Sequence, residues 1–178
     1  MDLCVFGAAS DTVPQVYITQ TEHLGERMAA RGHGLVFGGG STGMMGAAAR
    51  GLSLGGGRIT GVAPRFFDRP GVLSPLCTEL IFTDTMDERK GIMEARADGF
   101  IIAPGGTGTL DEFFEVLTLR SLGQTDKPVA LYNVAGFYDG LLAFLRGMES
   151  ERFIQPTLWR HLAVFDDADE LLSFMERS

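Results

Sequence analysis

Lysine is almost missing from this chain of 178 residues, in which Lys90 and Lys127 are the only two lysines among 15 basic residues. The others are arginines, which do not form the Schiff bases that amine catalysis requires. Any reaction through a lysine imine would therefore have to use one of these two side chains. Lys127 lies in the segment Thr125–Pro128, which is typical of a surface turn before a strand.

Basic charge and cysteine are also scarce. The chain has 15 Lys and Arg against 23 Asp and Glu, a formal net charge of −8, and no basic tract. Such a chain is poorly suited to nucleic-acid polymers and to anionic membranes. Cys4 and Cys77 form no CxxC pair and no zinc-ligand pattern, so we expect reduced thiols and no metal site.

Long apolar runs are absent as well. No stretch approaches the roughly 20 apolar residues of a membrane-spanning helix. The sequence passes from Met1 into an apolar strand pattern without a basic leader segment. We therefore expect a cytoplasmic protein with no membrane partner.

What is present is an alternation of short apolar strands with longer helical patterns. Strands without polar alternation indicate burial on both faces, and long helical connections indicate parallel pairing. The sequence predicts one α/β domain over residues 1–178, with a Rossmann-like, doubly wound parallel sheet. The predicted strands are Leu3–Ala8, Gly34–Phe37, Ile59–Val62, Glu79–Phe82, Phe100–Ala103, Val129–Tyr132 and Ala163–Phe165. The predicted helices are Pro14–Arg31, Gly43–Leu54, Met86–Ala97, Thr109–Leu122, Phe137–Met148 and Asp167–Glu176.

Two glycine-rich loops follow strands at the edge where such sheets bind ligands. The first, Gly38–Gly46, fits the G-x-G-x-x-G dinucleotide pattern. It follows the second strand, and no strand ends in an acidic residue about 20 positions on, which disfavours a dehydrogenase. Met44 stands where a phosphate-binding P-loop needs lysine. Tight helix packing and anion binding both remain open for this loop.

The second loop, Pro104–Glu112, predicts an anion site. Its glycines let the backbone approach a ligand, and the helix that follows offers free N–H groups and a positive dipole end. Thr107 and Thr109 add hydroxyl donors. Thr109–Glu112 also fits a capping box, in which Glu112 would return to the N–H of the cap. Capping and catalysis by Glu112 are compatible, because a first-turn position points it at the ligand.

An Arg-Lys pair lies upstream of this loop. Thr85–Glu88 fits a second capping box, so Arg89 and Lys90 fall in the first turns of a helix. Cations are unfavourable near a helix N-terminus, which indicates a nearby anion as their partner. The planar fork of Arg89 suits a phosphate or ribose, although a solvated pair is the alternative.

Together these segments resemble a known family. Met86–Lys90 followed by Pro104–Glu112 resembles the LOG (LONELY GUY) family, long labelled "lysine decarboxylase-like". That family combines an Arg-Lys pair with P-G-G-x-G-T-x-x-E, and Gly38–Gly46 is similar to its G-G-G-S-x-G-L-M-G segment. The resemblance covers residues 3–175, and the old label does not fit because a pyridoxal-phosphate decarboxylase needs a Schiff-base lysine.

The resemblance implies hydrolysis of the N-glycosidic bond of a nucleoside 5′-monophosphate to a free base and ribose 5-phosphate, without a cofactor or metal. Cytokinin ribotides such as isopentenyladenosine monophosphate are favoured in the family, and AMP is often accepted. Arg89 and Glu112 are implied as the catalytic pair. The implied binding residues are Gly105, Gly106, Thr107, Gly108 and Thr109 for the phosphate, and Lys90, Asp111 and Thr118 for the substrate. Members are usually homodimers whose helices pack across the interface near the active site.

This chemistry suits the residues. Cleavage at C1′ develops oxocarbenium character on the ribose, which a carboxylate can stabilise while it holds a hydroxyl or activates water. We assign this role to Glu112, and we expect Arg89 to fix the phosphoribosyl group or assist departure of the base. Glu115 lies three residues on and is expected to orient one of the two.

Three places depart from the family pattern and leave the identity of the base open. Thr107 occupies a position that is often aromatic, Leu119–Ser121 replaces a segment where tryptophan is common, and Ala8–Ser10 stands where Gly-Ser is frequent. Phe66–Phe67 and Met86 are candidates for a base pocket, with packing as the more frequent role of such residues.

The main alternative is a non-catalytic carrier that uses the same loop for a phosphorylated ligand, as molybdenum-cofactor carriers of related fold do. A carrier needs the anion loop but no carboxylate beside it. The presence of Arg89 and Glu112 therefore favours an enzyme.

Overall fold

Seven parallel strands form one sheet in this protein, for which a computed structural model describes residues Met1–Ser178. The strands are β1 Asp2–Phe6, β2 Gly34–Phe37, β3 Ile59–Pro64, β4 Glu79–Thr83, β5 Gly99–Ile102, β6 Val129–Tyr132 and β7 Ala163–Phe165. The helices are α1 Gln15–Ala30, α2 Gly43–Leu54, α3 Met86–Arg96, α4 Thr107–Ser121, α5 Asp139–Ser150 and α6 Ala168–Met175. Short 3₁₀ turns cover Arg65–Phe67, Val134–Gly136 and Pro156–Arg160.

The sheet is wound outward from β1 in both directions, which confirms the predicted fold class. The strand order is β4-β3-β2-β1-β5-β6-β7, so the chain first builds one half and then returns through α3 to build the other. Helices α1, α2 and α6 pack on one face, and α3, α4 and α5 pack on the other. The order reverses between β1 and β5. The crevice at their carboxyl ends is where doubly wound sheets bind ligands.

The inner strands are buried along nearly their whole length, as the apolar runs predict. Every residue of β2, β3, β5 and β6 is buried, whereas the edge strands β4 and β7 are partly accessible. Helices on both faces exclude water from a parallel sheet, and this is why its strands lack polar alternation.

Glycines let α1 and α2 pack backbone against backbone on one face of the sheet. A side chain on Gly25 would collide with the carbonyl oxygen of Ala48, and one on Gly51 would collide with the carbonyl oxygen of Glu22. These contacts fix the position of α2, and the first glycine loop leads directly into that helix.

All predicted elements are present, and their boundaries shift by a few residues. β3 continues to Pro64 because it pairs with β4 as far as Thr83. α5 begins at Asp139 rather than Phe137, because the chain first makes a 3₁₀ turn in which Ala135 has a left-handed φ of +50°.

The turn Pro156–Arg160 is not expected from the sequence, and Trp159 attaches it to α5. The Trp159 Nε1 donates a hydrogen bond to Glu149 at 2.7 Å, and the Arg146 guanidinium lies 3.6 Å from the centre of the indole ring. None of the six helices combines the length and apolarity that crossing a membrane requires.

Candidate active site

Arg89, one of the two implied catalytic residues, is placed by the start of α3. The Thr85 side chain accepts a hydrogen bond from the Glu88 N–H at 3.1 Å, which confirms the predicted cap. The Glu88 carboxylate returns to the N–H of Asp84 at 2.9 Å, one residue before the cap. α3 therefore begins at Met86 and directs Arg89 over the carboxyl ends of the central strands.

Arg89 is buried, with 8% of its surface exposed. Its Nε donates to the Val62 carbonyl of β3 at 3.2 Å, and its Nη2 lies against Gly38, where no side chain could be accommodated. Nη2 has no hydrogen-bond partner in the protein. This planar cation is thus held on one side and keeps donors available for a ligand.

Glu112 meets Arg89 from α4. Its Oε1 lies 3.4 Å from the Arg89 Nη1, with only 11% of the Glu112 side chain exposed, and Arg89 is its only ion-pair partner. The two implied catalytic residues, 23 positions apart in the sequence, therefore form one buried pair at the edge where ligands bind in this fold.

The predicted capping box at Thr109 is wrong. α4 begins at Thr107, and Gly106 is the residue before it. Extended backbone at Gly106 starts the helix two residues earlier than the Thr-x-x-Glu pattern indicates, so Thr109 lies inside the first turn. Glu112 is one turn further along and makes no cap bond, which leaves its carboxylate for the site.

Burial raises the pKa of Glu112 from its ordinary 4.5 to about 7. The nearby positive charge of Arg89 lowers this pKa, but the loss of hydration is the larger effect. A carboxyl group with this pKa can both accept and release a proton near neutral pH.

The second glycine loop presents unpaired backbone donors. The N–H groups of Thr107, Gly108 and Thr109 have no hydrogen-bond partner in the protein. A side chain on Gly106 or Gly108 would meet nothing within 4 Å, so packing does not require glycine at either position. Open space in front of free N–H groups at a helix N-terminus is the geometry of a phosphate site.

Two members of this loop have internal roles. The Thr109 side chain is buried and fills the space where a side chain on Gly105 would lie. Gly105 is therefore needed for the turn to close on Thr109. Thr107 is exposed at the mouth of the loop, where its hydroxyl is accessible to a ligand.

Tyr138 supports the loop from below and was missed by sequence reasoning. Its hydroxyl is buried and donates to the Ala103 carbonyl at 2.7 Å, directly before Pro104. The Pro104 carbonyl in turn accepts from the Ala8 N–H at 3.0 Å. A lone tyrosine at a helix start carries no distinguishing pattern, so no signal in the sequence indicated this bond.

Lys90 is held by acidic residues of α4. Its Nζ lies 2.6 Å from Glu115 and 3.3 Å from Asp111, and the bond with Glu115 raises the pKa of Lys90. The expectation that Glu115 orients Glu112 or Arg89 is wrong, because Glu115 binds Lys90 instead. Lys127, the other lysine, donates to the Glu94 carbonyl at 2.7 Å.

Thr118 does not join the loop. It lies nine residues after Thr109, roughly 13 Å along the axis of α4, in an apolar groove between α4 and α5.

The candidates for a base pocket are more exposed than packing residues would be: Phe66 is 50% exposed, and Phe67 and Met86 are each 39% exposed. The expectation that these three mainly pack is therefore wrong.

The first glycine loop serves packing. Gly43 has a left-handed φ of +61° and lies against the Ala8 carbonyl, which accepts from the Met44 N–H at 2.8 Å. A side chain on Gly46 would collide with the Ser41 carbonyl. Of the two interpretations left open for this loop, the close approach of α2 to the sheet is the one the contacts support.

The fold and site define a doubly wound α/β protein with an open glycine loop at a helix N-terminus and a buried arginine–glutamate pair beside it. The family model described as "Possible lysine decarboxylase" matches residues 45–175. The chain belongs to this family, the LOG family, as its glycine loops and Arg-Lys pair predict.

Two relatives show how far the similarity extends. A cytokinin riboside 5′-monophosphate phosphoribohydrolase of Mycobacterium tuberculosis is 41% identical over 170 residues, covering 96% of this chain and 90% of the relative. An enzyme of the same name from Arabidopsis thaliana is 36% identical over 174 residues, covering 98% of this chain and 82% of the relative.

Solved structures share the fold at lower identity. The molybdenum cofactor binding protein of Rippkaea orientalis has a TM-score of 0.76 and 20% identity, covering 99% of this chain and 95% of its own. The molybdenum cofactor carrier protein of Chlamydomonas reinhardtii has a TM-score of 0.75 and 21% identity, covering 99% of this chain and 96% of its own.

Proposed function

We propose that this protein hydrolyses the N-glycosidic bond of a nucleoside 5′-monophosphate and releases a free base and ribose 5-phosphate. The observation that carries this proposal is the buried Arg89–Glu112 pair, with 3.4 Å between Nη1 and Oε1. The pair accompanies a helix N-terminus whose N–H groups are free. The names of the relatives, cytokinin riboside 5′-monophosphate phosphoribohydrolases, support the same reaction.

Substrate binding and bond cleavage are carried out by different residues. The N–H groups of Thr107, Gly108 and Thr109 bind the 5′-phosphate, with the dipole of α4 behind them. Arg89 holds the phosphoribosyl group through its free Nη2. Fixing the phosphate and ribose in this way places C1′ within reach of Glu112.

Glu112 acts as a carboxylate at the reacting carbon. When the bond from C1′ to the base nitrogen breaks, the base leaves with both electrons and the ribose gains oxocarbenium character. Glu112 stabilises that charge and takes a proton from the water whose oxygen bonds to C1′. The proton then passes to the departing base, so the overall reaction consumes one water molecule. No cofactor takes part.

The substrates we expect are cytokinin ribotides and AMP. Both carry the 5′-phosphate and ribose that the loop and the Arg89–Glu112 pair would bind, and they differ only at the base. Thr107, small and exposed, leaves the mouth of the loop open. Lys90 and Asp111 stay predicted as substrate contacts, although in the free protein they bind each other.

The carrier alternative predicts binding without base release. The likeness to the carriers of the molybdenum cofactor, at 20% and 21% identity, concerns the fold. A carboxyl group buried beside the anion loop costs stability through lost hydration and serves no purpose in anion carriage. Glu112 therefore favours the enzyme.

The direct test incubates the purified protein with AMP, other nucleoside monophosphates and isopentenyladenosine monophosphate, and detects free base by chromatography. We expect base and ribose 5-phosphate in equal amounts. Tight binding without release of base from any of them would establish the carrier instead.

The phosphate loop can be tested by Gly108→Ala. Gly108 is the second residue of α4 and nothing lies within 4 Å of an added Cβ, so alanine should raise helix stability by about 0.5–1 kcal/mol. In our proposal the methyl group instead occupies the space of the phosphate, so we expect KM to rise by at least about tenfold. Gly140→Ala is the matched control, because Gly140 is the second residue of α5 and is equally open.

We further propose that the protein is a homodimer formed through the apolar groove between α4 and α5. The groove has a volume of about 520 Å³ and is lined by eight hydrophobic residues. Leu122 and Phe144 there are 69% and 66% exposed, far above the norm for large apolar side chains. Light scattering at micromolar concentration should give twice the monomer mass, and Phe144→Glu should give the monomer. A monomeric wild type would contradict the dimer.

The remaining expectations concern where the protein acts and what it does not bind. Reduced Cys4 and Cys77 fit the cytoplasm. The acidic net charge of −8 speaks against nucleic-acid polymers as partners. A single phosphate held by backbone N–H groups needs no overall positive charge.

A further inference from the structure

The connection between β3 and β4 carries two exposed phenylalanines. We call residues Arg65–Ser74 the β3–β4 strap. It leaves the carboxyl end of β3 and contains the 3₁₀ turn Arg65–Phe67 and a single antiparallel bridge from Leu73 to Gly40. Residues 65–72 are all exposed. Neighbouring parallel strands are usually joined by a helix, whereas this strap connects β3 to the residues before β4 without one.

The far end of the strap is fixed to the first glycine loop. The Ser41 N–H donates to the Val72 carbonyl at 2.9 Å, and the Ser74 N–H donates to the Gly39 carbonyl at 2.8 Å. The Ser41 hydroxyl donates to the Gly71 carbonyl at 2.6 Å. The strap is therefore attached to the residues that follow Gly38, against which Arg89 lies.

The near end lies beside the start of α3. The Arg65 Nε lies 3.4 Å from Asp84, and its guanidinium lies 5.6 Å from the centre of the Phe82 ring. Val62, two residues before the end of β3, accepts the hydrogen bond of Arg89. Both ends of the strap are thus joined to the elements that hold Arg89, and the strap spans the rim of the site.

The two phenyl rings on the strap contact each other and no other aromatic ring. Their centroids are 4.6 Å apart with an interplanar angle of 51°. Phe66 is 50% exposed and Phe67 39% exposed, although an apolar core is available on either face of the sheet. Met86 is exposed as well and lies 3.9 Å from the Arg89 Nη1. Aromatic rings of this kind stack on nucleobases and cover apolar surface.

We propose that Phe66 and Phe67 receive the base of the nucleotide, together with any apolar substituent on it, and so determine base selectivity. This inference rests on the function proposed above. The substrate extends from its phosphate at α4, past Arg89, to its base at the strap. Phenyl rings favour a flat purine and an added alkyl chain, since both lose apolar surface to water on binding.

The test compares wild type with the double variant Phe66→Ala/Phe67→Ala. Initial rates are measured with AMP and with isopentenyladenosine monophosphate, and ribose 5-phosphate, which has no base, is measured as an inhibitor. Leu54→Ala is the control, because Leu54 is 75% exposed at the end of α2, on the opposite edge of the sheet. Thermal melts and light scattering are recorded for each variant.

We expect KM for both nucleotides to rise by roughly tenfold in the double variant, as loss of one stacking contact predicts. The preference for the isopentenyl substrate should fall, while inhibition by ribose 5-phosphate and the behaviour of Leu54→Ala stay as in wild type. Unchanged KM and unchanged preference in an active protein would overturn this inference alone. A fall in kcat alone, or a change of oligomeric mass, would also overturn it. Absence of base release from wild type would remove the proposed function and this inference with it.

Discussion

The guanidinium of Arg89 lies where a side chain on Gly38 would have to be. A Cβ built on Gly38 would collide with Nη2 and would stand 3.0 Å from Cζ. The first glycine loop therefore contributes to the candidate site, because its first glycine provides the space in which Arg89 lies. Arg89 gains a fixed position from this contact and from its hydrogen bond to the Val62 carbonyl.

Replacing Gly38 by alanine should therefore displace Arg89. We expect base release to fall by at least about 100-fold, since a displacement of about 1 Å costs that much in a positioned site. Base release from AMP should be slower, and ribose 5-phosphate should bind more weakly by calorimetry.

Gly57→Ala separates this effect from general destabilisation. A Cβ on Gly57 would lie 2.6 Å from the Leu52 side chain, away from the site. We expect a comparable stability cost of about 1–3 kcal/mol with unchanged kcat for the folded protein. Equal losses of activity in the two variants would contradict a specific role for Gly38.

The pH dependence of the reaction should follow Glu112. Burial raises its pKa to about 7, and the mechanism uses the carboxylate, so kcat/KM should rise with pH and level off above about pH 7. The second ionisation of the substrate phosphate, near pH 6, adds a separate lower step. A profile that falls above pH 7 would instead assign the reaction to the protonated acid.

Glu112 also makes the free energy of unfolding depend on pH, and this dependence is opposite in direction to that of kcat/KM. The folded-state pKa of Glu112 lies above the unfolded value of 4.5, so the protonated form is favoured by folding. Its stabilising contribution is complete below about pH 4.5, is lost as pH rises to about 7, and stays lost above that.

Urea unfolding of wild type and Glu112→Gln measures this contribution, because glutamine does not titrate. As the pH rises from 4.5 to 7, the free energy of unfolding of the variant should increase by on the order of 2–3 kcal/mol relative to that of wild type. A difference independent of pH would mean that the pKa of Glu112 is ordinary.

Two buried tyrosines provide a matched test of how the second glycine loop, the proposed phosphate site, is held. Tyr138 donates to the Ala103 carbonyl at 2.7 Å beside the loop, whereas Tyr132 donates to the Gln20 carbonyl at 3.4 Å on the other face. Each Tyr→Phe change should cost about 1 kcal/mol of stability. Only Tyr138→Phe should also raise KM for AMP, by a few-fold, and an equal effect of Tyr132→Phe would contradict the positioning role.

The fold could be predicted from the sequence because its determinants are local. Buried strands such as Gly34–Phe37 are continuous apolar runs, and the helices between them are marked by caps such as Thr85. The Arg89–Glu112 pair could be predicted through the family resemblance, since both residues fall within its motifs.

The contacts that complete the site could not be predicted, because they join residues far apart in sequence. The space that Gly38 leaves for Arg89 depends on how β2 meets α3, and the Tyr138 bond spans 35 residues. The capping box at Thr109 failed because extended backbone at Gly106 began α4 earlier. Helix spacing predicts that Glu115 orients Glu112 or Arg89, whereas Lys90 on α3 binds it.

The central claim is that Glu112 carries out bond cleavage on a nucleotide that other groups bind. The most direct measurement is base release from AMP by Glu112→Gln, together with calorimetric binding of AMP to the same protein. Glu22→Gln is the control, because Glu22 also pairs with an arginine, Arg50, at 3.0 Å, but lies on α1. We predict that Glu112→Gln binds AMP about as tightly as wild type and releases base at least about 100-fold more slowly. Base release at the wild-type rate by this variant would contradict the account.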